Sequence, residues 1–168
     1  NPPGTCLGAT TAWPQEAKAA LSYAVSIWAD LLVSPQLIIV DACWRTDLTY
    51  LAQGGPITYH HDFPGANEAG TWYVAPLANA IAGNDLNNFD GQDSDGDGQD
   101  ADSELAVEFN SNQDNWYFGI DGNTPADKLD FVSTALHEIG HGLGFMGFAE
   151  VDTGGNQCNT GTPGDGCV

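Results

Sequence analysis

The stretch that decides the reading is His137-Glu138-Ile139-Gly140-His141-Gly142-Leu143-Gly144-Phe145. Two histidines four apart on a helix project from one face, one turn above the other, so both imidazoles can bind a single metal ion. Glu138, directly after the first, stands where a carboxylate can hold and deprotonate a metal-bound water. The alternative is a pair of ordinary histidines on an amphipathic helix. It requires two of only four histidines to fall in this frame by chance, with a glutamate in the one useful place. The metal reading makes three demands on the rest of the chain: a helix under the motif, a sheet to brace it, and a third ligand.

The helix is predicted by what precedes the motif. Thr124-Pro125-Ala126-Asp127 is a helix start, with Thr124 as cap and Pro125 in the first turn. Leu129, Phe131, Val132, Ala135, Leu136 and Ile139 then recur at three-and-four spacing, and Gly142 and Gly144 end the run. Near the amino terminus, Pro14 opens a second amphipathic pattern through Ala17, Ala20, Leu21, Ala24, Ile27, Trp28 and Leu31. That predicts a helix over 14–33, ended by Ser34-Pro35. The β-branched, apolar run at 37–44 predicts a buried strand, and the alternation of Leu105, Val107 and Phe109 another over 105–110. Between them Gly54-Gly55-Pro56 reads as a break. Short strands fit 57–59, 71–74 and 116–120, and a helical turn fits 77–81. At 168 residues this is one α+β domain over 1–168, large enough to bury roughly 70% of its unfolded surface.

Charge excludes one function class. With 23 acidic residues against 3 basic ones the net charge is −20, which repels phosphate backbones and argues against nucleic-acid binding. No run of 18 apolar residues occurs, so no membrane-spanning helix is expected. The acidity is concentrated in one place. Counting from Asp93, positions one, three and five are Asp93, Asp95 and Asp97; the sixth is Gly98, the seventh Gln99 and the twelfth Glu104. This is the register of a twelve-residue calcium loop, inserted at 93–104, with Gln99 offering its carbonyl and Glu104 bidentate. An acidic, glycine-rich solvated linker is the competing explanation. The strand-like alternation after Glu104 predicts a stabilising loop rather than a signalling helix pair.

Cys6, Cys43, Cys158 and Cys167 include no Cys-x-x-Cys pair, which argues against a thiolate zinc site. Of three possible pairings, Cys6–Cys43 would tie down the amino-terminal arm and Cys158–Cys167 would close a glycine-rich tail. Two disulfides and calcium imply a secreted, extracellular protein, read here as a mature form.

The segment from Asp130 to Phe145 resembles the active-site helix of the zincin metallopeptidases, closest to their metzincin-like members. These carry His-Glu-x-x-His-x-x-Gly-x-x-His, or Asp as the last ligand in some small bacterial enzymes. His137, Glu138, His141 and Gly144 match. The order helix, strand, strand, helix is also similar to the zincin amino-terminal subdomain. The resemblance implies a mixed twisted sheet with a backing helix and an active-site helix, zinc as cofactor, Glu138 as general base and a protein or peptide substrate. It also implies that 105–110 is the edge strand on which that substrate pairs. The departure is Gly147, which stands where the third ligand belongs. Asp152 is the nearest well-placed substitute, with Glu150 and Asp165 behind it. His60 or His61, or a ligand beyond Val168 in a truncated or processed chain, are the alternatives.

Three functions fit these residues: a secreted zinc endopeptidase stabilised by calcium, a non-catalytic calcium-stabilised binding or adhesion module with a vestigial metal helix, or another metal-dependent hydrolase. The sequence specifies neither the oligomeric state nor the cleavage specificity. The calcium register makes one prediction directly. A calcium chelator should lower the melting temperature, measured by circular dichroism, and readdition of calcium should restore it; an unmoved transition would leave only the solvated linker.

Overall fold

The computed structural model describes residue 6 and residues 8–87 and 103–147. Asp93, Asp95, Asp97, Gln99, Asp152 and the Cys158–Cys167 pair lie outside the described residues.

Helix α1 (Gln15–Leu31) follows Pro14, whose extended backbone sits at the cap. Its core-facing stripe is Ala17, Ala20 and Ala24, all fully buried. Three methyl groups at three-and-four spacing let the helix lie close to what it covers. The helix stops two residues before the expected end. Ser34 turns the chain by accepting from the Gln36 N–H, and the residue before Pro35 is steered out of helical geometry. Strand β1 (Val40–Arg45) begins three residues later than its apolar run, where its parallel partner β5 (Leu105–Asn110) begins, pairing Val40 with Leu105.

A third strand completes this sheet, and the sequence hides it. β2 (Ala52–Pro56) contains the Gly54-Gly55-Pro56 run that reads as a break, yet it pairs antiparallel with β5 from Ala52–Phe109 to Pro56–Leu105. The order β1-β5-β2 makes the sheet mixed, as expected. It also corrects an expectation: β5 is the central strand, with both its edges occupied, so no substrate can pair with it. The pairing at either end of β2, Asn110 N–H to the Leu51 carbonyl and Ile57 N–H to the Glu104 carbonyl, fixes which groups face inward. Odd-numbered residues bond to β5, whereas Gly54 and Pro56 turn their backbone groups to the outer edge. Pro56, which has no N–H to offer, is therefore tolerated there.

Two small pairs flank the sheet. β3 (Tyr59–His60) pairs antiparallel with β4 (Tyr73–Val74), which runs directly into α2 (Ala75–Ala82). β6 (Trp116–Tyr117) pairs in parallel with β7 (Leu129–Asp130), which runs into α3 (Phe131–Gly142). The last helix therefore starts at Phe131, not near Thr124. Asp130 is its cap, accepting the Ser133 N–H at 2.7 Å, and the Thr124 hydroxyl binds the same carboxylate. Leu129 is committed to pairing with Trp116, so the helix cannot begin before it.

The core is aromatic. Phe131, fully buried in the first turn of α3, has Phe109, Trp116, Phe118, Trp44 and Trp13 around it at ring separations of 4.7–6.4 Å. The amino-terminal arm is tied to β1 as expected, by the Cys6–Cys43 disulfide and by backbone bonds from Thr11 to Trp44 and from Thr46 to Ala9. Among the described residues no helix is long and apolar enough to cross a membrane.

Burial pushes the Asp130 carboxyl up, but its bonds from Thr124 and Ser133 hold it below the usual carboxylate range. A depressed folded-state pKa contributes stability above the unfolded value of about 3.9 that is lost as pH falls through the folded value. Asp130→Ala should cost about 1 kcal/mol at pH 7. In urea denaturation the gap from the parent should narrow as the pH is lowered below about 3.9; a gap that holds constant would remove Asp130 as an ionised cap.

Candidate metal centre

Helix α3 lies between α1 and the edge strand β2, and both neighbours touch it at the motif. β2 approaches so closely that a Cβ on Gly54 would collide with the Glu138 carbonyl oxygen. Only glycine allows that approach, which explains Gly54 inside a strand. On the opposite side the Trp28 indole of α1 lies against Gly140 and donates its N–H to the Leu136 carbonyl at 3.2 Å.

The two histidines meet as the spacing predicts. His137 Nε2 and His141 Nε2 are 2.9 Å apart, with the rings nearly perpendicular. His141 Nδ1 lies 2.8 Å from the Phe145 carbonyl, and since a carbonyl only accepts, Nδ1 carries the proton. That leaves the Nε2 lone pair of His141 aimed at His137. The carbonyl reaches the ring because the chain turns back at Gly144, whose φ of +105° is in the region that favours glycine. Phe145 N–H to the Gly140 carbonyl and Gly144 N–H to the His141 carbonyl close the turn. Gly144 in the motif thus acts locally, by aiming a main-chain oxygen at the second histidine.

Glu138 is nine-tenths buried beside this pair. Burial pushes its carboxyl above the ordinary range, opposed by the nearby His137 and His141 rings and by the Gly54 N–H. Gly54 is one of the residues of β2 that faces outward, so the outer edge of the strand and the carboxylate share one site. Two converging imidazole nitrogens with one tautomer fixed, and a carboxylate alongside, suit a divalent metal such as zinc.

Among the described side chains no third donor stands with the pair. No other His, Cys, Asp or Glu among them joins His137 and His141 as a metal-spaced group. His60 Nε2 is taken by Asn87 Oδ1 at 2.8 Å, and His61 Nδ1 by Asp62 at 2.7 Å, with Trp72 packed edge-on to its ring. A Cβ at Gly147 would meet nothing within 4 Å, so the expected ligand position opens into space. Cys6, Asp41 and Cys43 do cluster, but the two sulfurs are joined in the disulfide.

Of the expected calcium ligands Glu104 is described. It is 1% exposed, and its carboxylate accepts the Ile39 N–H at 2.5 Å and faces the Asn79 amide at 3.5 Å. Asn79 also donates to Asp85, so the end of the acidic run is anchored to the chain entering β1 and to α2. Neither Trp28 nor Gly54 stands out in the sequence as a site residue. Trp28 reads only as an apolar helix position, because its contact with α3 spans 108 residues of sequence.

A family model described as SPBPB7E8-like matches residues 97–152, one third of the chain, taking in β5, β6, β7 and all of α3. No curated protein and no solved structure matches the chain.

The seating of β2 is open to direct measurement. Gly54→Ala should lower stability by about 1–3 kcal/mol through overpacking against α3. Gly55→Ala, where a Cβ meets nothing within 4 Å, is the control. Equal denaturation midpoints for the two variants would refute the close approach.

Proposed function

We propose that this protein is a zinc-dependent endopeptidase of zincin-like architecture, working on an extended protein or peptide substrate. The observation that carries the reading is the 2.9 Å convergence of the His137 and His141 Nε2 atoms next to the buried Glu138. His137 and His141 would hold the zinc, with Asp152 the nearest candidate from the following sequence. Zinc, when bound, polarises the scissile carbonyl and lowers the pKa of a water to about 7.

The chain's own groups then divide the work. Glu138 takes the proton from the attacking water and returns it to the leaving amine. Its burial serves this role, because a carboxyl raised toward the working pH both accepts and releases a proton more readily. The outer edge of β2 is where an extended substrate would pair, since its outward backbone groups lie against Glu138 and β5 is enclosed. Calcium held by Asp93, Asp95, Asp97, Gln99 and Glu104 would stabilise the loop entering β5. The Cys6–Cys43 disulfide supports an oxidising, extracellular setting.

A second reading keeps the same residues without the activity: a calcium-stabilised binding module with a vestigial metal helix. The observation in its favour is that no third ligand joins the histidine pair among the described residues.

Casein or gelatin cleavage, with and without a zinc chelator, separates the two. The peptidase should lose its activity on chelation and regain it with zinc. Glu138→Gln should keep zinc bound, by metal analysis after dialysis, while turnover falls at least about 100-fold, the lower scale of lost general-base catalysis. Unimpaired cleavage by Glu138→Gln would sink the role of Glu138, and no cleavage by the zinc-loaded parent would favour the binding module.

A further inference from the structure

The pair of histidines is held from behind by a residue far away in sequence. Trp28 on α1 makes two contacts that bracket the motif. Its indole N–H donates to the carbonyl of Leu136, the residue just before His137. Its ring stacks on Phe145 at 5.7 Å with 26° between the planes, and the Phe145 carbonyl accepts the His141 Nδ1 proton. Gly140, between the histidines, has room for the indole against it.

The indole packs against the core on one side and borders a cleft on the other. Trp28 lines a partly open apolar cleft of about 210 Å³ with Val25, Leu32, Ile38, Ile139 and Leu143. Beside that packing, its hydrogen bond and its stack direct the ring onto α3 and the turn that follows it. Phe145 is 67% exposed, so little else packs against its side chain. Without the indole beneath it, the Phe145 ring loses its partner, and the carbonyl aimed by the Gly144 turn loses a second contact that steadies it.

We propose that Trp28 is a positioning residue for the metal site: through Phe145 it sets the tautomer and orientation of His141, and through Leu136 it fixes the helix turn that carries His137. The inference rests on the metal reading of His137 and His141. Residues that orient a ligating imidazole through its second nitrogen change metal affinity by about 10–100-fold when removed.

Two variants separate the components. Trp28→Phe keeps an aromatic ring and removes the N–H donor; Phe145→Ala removes the stack and keeps the main-chain carbonyl. Metal affinity is measured by competition with a chromophoric chelator, using zinc or cobalt on the full chain. Nitrogen NMR of the imidazoles in the metal-free protein reports which ring nitrogen carries the proton. Melting temperature reports the purely structural cost. Both variants should bind metal about tenfold more weakly or worse, and Phe145→Ala should shift His141 away from the Nδ1–H form. Because Phe145 is exposed, that shift should come with little change in melting temperature. Unchanged affinity and an unchanged tautomer in both variants would overturn the proposal. If the parent binds metal no better than His137→Ala, the metal reading itself fails, and the tautomer measurement still decides whether Trp28 and Phe145 orient His141.

Discussion

The seat of α3 is the constraint on which the rest depends. The helix is gripped at the same height from two sides, by the Gly54 backbone of β2 at Glu138 and by the Trp28 indole of α1 at Leu136 and Gly140. Its first turn is fixed independently by Phe131 in the aromatic core and by Asp130 at the cap. A side chain on a helix held at its start, its middle and its closing turn has little freedom to drift. This is the condition a site built from two imidazoles and a carboxylate requires.

The three buried carboxylates are answered in different ways. Glu104, Glu108 and Glu138 are all at least nine-tenths buried. Glu108 is answered by charge: Arg45 reaches it at 2.6 Å and Gln53 at 3.1 Å. Arg45 also holds Asp47, whose carboxyl it draws below the ordinary range, so one of only three basic residues is committed to this corner. Glu104 is answered by a backbone N–H and an amide. Glu138 is answered by the Gly54 N–H and the two histidine rings, and burial is the largest influence on its carboxyl. In a chain with so few cations, a buried acid that has none beside it is a group whose charge is costly.

Much of this is legible in the sequence because the signals are local. The alanine stripe of α1, the alternation of β5 and the i, i+4 histidines each depend on residues close together in the chain, and each lies where its periodicity predicts. What the sequence conceals depends on distant partners. Gly54-Gly55-Pro56 looks like a break because propensity counts glycine against a strand, whereas here the absent Cβ makes room for α3, far along the chain. Thr124-Pro125 looks like a helix start because its cap chemistry is sound. The pairing of Leu129 with Trp116 delays the helix until Asp130 can take over. The position of β5 at the centre of the sheet could not be read from its own residues, since a central and an edge strand of this length share one pattern.

The position of Gly147 then gains a geometric meaning. In the proposed metal site, two imidazoles one helical turn apart would form one side of the shell, and the remaining donors would approach from the open face. β2 bounds that region at Glu138. The β3–β4 pair touches the turn after the helix, with Val74 3.2 Å from where a Gly144 Cβ would stand and the Tyr59 hydroxyl 3.8 Å from the Met146 sulfur. The Gly144 turn commits its backbone to returning Phe145 to His141, and the chain passes Gly147 with no side chain to contribute. A short motif would place its third ligand directly after the turn. Here the turn orients His141 and Gly147 offers no side chain, so in the proposed site the completing donor would be supplied by another residue.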